Sequence, residues 1–100
     1  MIYQRSARFK AAANKLPAEI QAKVRKAFNL FRDNPHHPSL GIKKVKGLEG
    51  VWEGRIDVFY RFTFEYIDNP NFNEETDDEG NKTVCLFRNI GRHEIVSESP

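Results

Sequence analysis

One cysteine in 100 residues removes several classes of protein at once. Cys85 alone builds neither an intramolecular disulfide framework nor a cysteine-based metal site. Set in a strand-like run, it reads as a small buried hydrophobe rather than a nucleophile. No apolar run approaches the roughly 20 residues that cross a bilayer. Behind Met1 come Tyr3, Arg5 and Arg8 without an apolar stretch, so the start does not read as a signal peptide and the expected location is the cytoplasm. Gly47, Gly50 and Gly54 have neither the spacing of a phosphate-binding loop nor a following helix. No serine lies in a nucleophile elbow. His36 and His37 are adjacent and diverge in an extended chain, and no carboxylate stands at ligand spacing to join them with His93. Neither a metal nor a cofactor is expected.

What the chain does contain is an uneven charge. Residues 1–50 carry 11 Lys and Arg against three acids, and residues 51–100 carry five against 11. Six of those later acids (Asp68, Glu74, Glu75, Asp77, Asp78 and Glu79) share one polar stretch. The remainder is a basic body bearing an acidic loop, which suits a polyanionic partner. Hydrophobic residues at 39% and charged ones at 30% fit an ordinary folded domain rather than a disordered chain. One domain over residues 1–100 is expected.

Phe9, Ala12, Ala13 and Leu16 follow helical spacing until Pro17, which fits the first position of a second helix with Glu19 close behind. Ile20, Val24, Ala27, Phe28 and Phe31 form the apolar stripe of that helix, and Asn34-Pro35 ends it. Strands are expected at Ile42–Val45, Val51–Ile56, Tyr60–Ile67 and Thr83–Ile90. The run from Asp68 to Asn81 reads as a mobile loop, and Val96–Pro100 as a frayed tail. A helix pair followed by an antiparallel sheet makes an α+β fold.

Alternation along the second strand places Glu53, Arg55 and Asp57 on one face and Trp52, Gly54 and Ile56 on the other. One face packs and the other is charged. Cations and proton-transfer groups gather near the strands: Lys43, Lys44, Lys46, Glu53, Arg55, Arg61, Arg88, Arg92 and His93. Such a set can cleave RNA. A base takes the 2′-hydroxyl proton, cations hold the charge of the phosphorane-like transition state, and an acid protonates the leaving 5′-oxygen. Glu53 suits the base, Arg55 and Arg61 the phosphate, and His93 the acid. The competing reading is a set of cross-strand ion pairs with no further role, each worth roughly 0.2–1 kcal/mol. By the same standard, Trp52 is a core residue before it is a base-stacking platform.

The order of these parts resembles the RelE/ParE toxin superfamily of bacterial type II toxin–antitoxin systems, over about Phe9 to Glu94. The parts are Lys15-Leu16-Pro17, Asn34-Pro35 with His37-Pro38-Ser39-Leu40, Lys43-Lys44 with Gly47, Trp52-Glu53-Gly54-Arg55-Ile56 with Tyr60-Arg61, and Ile90-Gly91-Arg92-His93-Glu94. The resemblance implies an N-terminal helical hairpin packed on a twisted, three- to four-stranded antiparallel sheet. It also implies a metal-independent endoribonuclease that cuts mRNA on the ribosome, with Glu53, Arg55, Arg61 and His93 as its active residues. Lys43, Lys44, Lys46, Arg88 and Arg92 would then bind RNA. The implied partners are a cognate antitoxin, in a toxin–antitoxin hetero-oligomer, together with mRNA and the ribosome, and no membrane. Two departures stand out. Ile95, Val96 and Ser97 occupy the region where many relatives carry a tyrosine, and the acidic loop is longer than in most of them. A ParE-like gyrase inhibitor that cuts nothing, or an inactive antitoxin-binding scaffold, would keep the same fold.

Overall fold

The computed structural model describes residues 1–100. The chain runs β1 (Ile2–Arg5), α1 (Ala7–Asn14), α2 (Ala18–Asp33), β2 (Lys43–Lys44), β3 (Val51–Arg55), β4 (Tyr60–Asp68), β5 (Thr83–Arg92) and α3 (Ile95–Glu98). Single 3₁₀ turns lie at Pro38–Leu40 and Glu79–Asn81. The five strands form one sheet in the order β1-β5-β4-β3-β2, with β1 parallel to β5 and every other pair antiparallel. The architecture is α+β, as expected, with one strand more than the sequence suggested.

That additional strand is β1. All four of its residues are exposed, so no buried alternation marks it, and its pairing of Ile2 with Val84 spans almost the whole chain. Ser6 then turns the chain into α1: its Oγ accepts the Phe9 N–H at 3.0 Å and donates to the Arg88 carbonyl at 2.9 Å. Pro17 sits one position earlier than expected, as the cap of α2 rather than its first residue, and its carbonyl accepts from Ile20 and Gln21.

The helices bury their apolar stripes against one face of the sheet. Phe9, Phe28, Phe31, Phe62, Phe64 and Phe87 form a continuous aromatic cluster, with Phe28 stacked on Phe87 at 4.7 Å and Phe31 edge-on to Phe64 at 5.0 Å. Each buried ring contributes about 1.5–3 kcal/mol through apolar burial, and each well-placed pair about 0.5–1.5 more. Trp52 and Ile56 pack against this cluster from β3 and its end, so Trp52 belongs to the core side. Gly54 shares their face, and there a glycine is required. A Cβ would stand 2.2 Å from Cζ of Phe62 and 2.8 Å from Cδ1 of Ile42. Cys85 is fully buried in the same layer, and burial pushes its thiol up to about 12.

A β-bulge shapes the other face. Thr63 pairs with Asn89 while Phe64 pairs with Phe87, so Arg88 is the extra residue on β5. The bulge shifts the alternation of β5 by one, which keeps both Phe87 and Ile90 in the core. It leaves Asn89 beside Thr63, away from the helices. The C-terminal segment is not frayed. It forms α3 and then lies over this face. Asn89 Nδ2 donates to the Ser99 carbonyl at 2.7 Å, and Thr63 Oγ1 and Arg88 Nε donate to the Pro100 oxygen at 2.9 and 3.0 Å. The acidic stretch between β4 and β5 is a loop, but a hydrogen-bonded one. The Asn69 and Asn73 side chains hold its turns through Asn71, Glu75 and Asn81. No helix is long and apolar enough to cross a membrane.

Candidate functional site

Strand register assembles the charged face. One row across the sheet reads Lys43, Glu53, Thr63 and Asn89, and the next but one reads Arg55, Arg61 and Gly91. Glu53, Arg55 and Arg61, with Lys43 and His93, line one open cavity of about 520 Å³, closed at its side by Gly41, Val96 and Ser97. The four residues expected to do chemistry therefore meet in one place. Their convergence follows from the period-2 alternation of β3 and β4 and from α3 turning back beside them.

Glu53 is only 8% exposed, and its nearest cation is Lys43, with Nζ 3.9 Å from Oε1. Arg55 and Arg61 face each other directly across β3 and β4. Like charges so placed repel unless an anion lies between them. No carboxylate does so, because neither arginine takes part in an ion pair. Arg61 instead directs Nη1 to the backbone, donating to the carbonyls of Asp57 (2.6 Å), Tyr60 (3.0 Å) and Val58 (3.3 Å). That clasp fixes the β3–β4 turn and leaves the rest of the guanidinium to the cavity. For these two arginines, the simple ion-pair explanation does not hold.

The turn is held from three further sides. Asp57 Oδ1 accepts the N–H groups of Phe59 and Tyr60 at 2.9 Å each, and Oδ2 meets Lys23 Nζ at 3.2 Å. Burial of Asp57 opposes its charge, but the two N–H groups and the lysine outweigh it and hold its carboxyl below the usual carboxylate range. Asp57 thus serves the turn rather than the cavity. The backbone N–H of His93 donates to the Phe59 carbonyl at 2.8 Å, which seats the ring at the cavity edge, with Nε2 3.5 Å from Glu94 Oε1.

The outer cations divide. Lys43, Lys44 and Lys46 line a smaller hollow of about 300 Å³ that shares Glu53, Val96 and Ser97 with the main cavity. Lys44 also lies over the Trp52 ring at 5.6 Å. Arg88 is engaged with Glu65 and the Pro100 oxygen. Arg92 pairs in register with Tyr60, away from the Arg61 face, and stacks over Phe59 (5.3 Å) and Tyr60 (5.9 Å). No three His, Cys, Asp or Glu side chains stand close enough to hold a metal ion, so the three histidines do not converge. Sequence reasoning passed over Val96 and Ser97, which reach the cavity only because the tail folds back. No local pattern announces them.

The comparisons with known proteins bear on the fold. No protein-family model matches the sequence, and no curated protein is significantly similar to it in sequence. Solved structures do match. The YoeB/ParE toxin from Agrobacterium tumefaciens superposes with a TM-score of 0.65 at 13% identity, over 93% of this chain and 99% of that one. A chain of the RelB-RelE antitoxin-toxin complex from Methanococcus jannaschii gives 0.62 at 18% identity, over 97% of this chain and 99% of that one. YafQ from E. coli gives 0.64 at 11% identity, over 94% of each chain. The chain shares the fold of these solved structures.

Proposed function

We propose that this protein is the toxin of a type II toxin–antitoxin pair, acting in the cytoplasm as an endoribonuclease that cuts mRNA, on the ribosome, with its side chains alone. The observation that carries this reading is the opposed pair Arg55 and Arg61, without a protein anion, beside buried Glu53 and exposed His93. A phosphodiester fits that vacancy in charge. Glu53 takes the 2′-hydroxyl proton as the 2′-oxygen bonds to phosphorus. The two arginines hold the charge on the non-bridging oxygens, and the bond to the 5′-oxygen breaks as His93 gives that oxygen a proton. The products are a 2′,3′-cyclic phosphate and a free 5′-hydroxyl. A scaffold that binds only a partner protein has no need of an acid and a base beside opposed arginines.

The expected partner is a cognate antitoxin. Structurally similar chains are described in the RelB-RelE and DinJ-YafQ complexes, which supports such a partner here. Brief expression without that partner should stop protein synthesis and create new transcript ends within coding sequences. Mapping those ends tests the reading. Unchanged ends and continued methionine incorporation at high expression would remove it.

A further inference from the structure

A separate cavity, of about 300 Å³, lies between α2 and the end of β3, and apart from Arg55 its residues take no part in the chemistry above. Lys23, Lys26 and Ser39 line it together with Leu30, Ile56 and the buried Leu40, and the Ser39 hydroxyl already meets His37 Nδ1 at 2.8 Å. Arg55 lines both this cavity and the main one, so the two open on either flank of one side chain. The only carboxylate here is Asp57, already occupied by Lys23 and the N–H groups of Phe59 and Tyr60. Lys26 makes no ion pair. One unpaired lysine, Lys26, beside apolar side chains suits an amphipathic ligand with an anionic end. The volume is at the small end of ligand sites.

We infer that this cavity is a nucleotide subsite on the path of a single-stranded RNA, holding the nucleotide next to the one whose phosphate lies between Arg55 and Arg61. A base or ribose rests on the half-buried Leu30 and Ile56, and the adjoining phosphate meets Lys26. The inference rests on the proposed function for its ligand, but it assigns residues that the cleavage chemistry does not use.

Counter-ion release gives the test. Binding of a 2′-O-methylated decanucleotide, which cannot be cleaved through its 2′-oxygens, is measured by anisotropy over a range of potassium chloride concentrations. Each phosphate contact contributes about 0.7 to the slope of log K against log salt for a single strand. Lys26→Gln should lower the slope by about that amount, Lys26→Arg should restore it, and Lys10→Gln on α1 should leave it unchanged. Lys26 is exposed and glutamine is an equally good helix former, so the variants should fold. A Lys26→Gln slope equal to wild type, or equal losses from Lys26 and Lys10, overturns the subsite. Transcript-end mapping with the wild type separates this from the larger reading. Cleavage with no Lys26 effect removes only the subsite. A Lys26-dependent slope without cleavage keeps the subsite and removes the nuclease. No binding at any salt removes the subsite.

Discussion

The two faces of this sheet are built by different means. The face beneath α1 and α2 is closed by six phenylalanines and small apolar residues, and it has no buried polar group to satisfy. The opposite face buries Glu53, Thr63 and Asn89, is partly covered by the C-terminal tail, and leaves two arginines opposed without an anion. The first arrangement is what stability alone favours. The second gives up stability, because opposed cations and a buried carboxylate cost free energy. The face with uncompensated charge singles out the candidate site more clearly than any motif does.

If the faces divide in this way, variants on one should alter activity and variants on the other should alter stability. His93→Gln should reduce single-turnover cleavage of mRNA on a programmed ribosome by about 10²–10⁴, the usual range for losing a general acid. Its unfolding free energy should stay within about 0.5 kcal/mol of wild type. A folded variant that cleaves at the wild-type rate would break the comparison at its centre. Phe62→Ala on the opposite face should cost about 3–5 kcal/mol in urea unfolding, since its ring is fully buried against Phe28, Phe31 and Phe64.

Smaller effects sharpen the boundary. Thr63→Val keeps the side-chain shape but loses the hydrogen bond to the Pro100 oxygen, at a cost of about 1 kcal/mol. Amide exchange in residues 95–99 should speed up while exchange in β4 holds; unchanged exchange in the tail would show that Thr63 does not anchor it. Asp57 has a carboxyl held below its ordinary range, so the stability it adds is complete above about pH 4 and is lost as pH falls through its lower folded value. Asp57→Asn should therefore be less stable than wild type at neutral pH, with the gap closing below pH 4. Parallel stability curves for the two across that window would show that the turn does not depend on this charge.

Much of the fold was legible because local period and long-range packing agree in it. The stripe from Ile20 to Phe31 and the alternation through Trp52, Gly54 and Ile56 each announce an element and its buried side. β1 was not legible. Four exposed residues carry no periodic signal, and the pairing partner lies more than 80 residues away. The tail was misread for a related reason. Ser99 and Pro100 look like a frayed end until Asn89 and Thr63 offer them hydrogen bonds.

Sequence by itself determined the α+β class, the apolar side of each long element, the basic body with its acidic loop, and the shared face of Glu53 and Arg55. These depend on spacing within ten or so residues, which backbone geometry converts directly into direction. Tertiary structure alone decided that Arg61 would oppose Arg55, that His93 and Ser97 would close the same cavity, and that Arg88 would turn instead to Glu65 and the tail. Those outcomes depend on strand register, on one bulge in β5 and on the return of α3. A shift of one residue in any of them would send the same side chains to the other face.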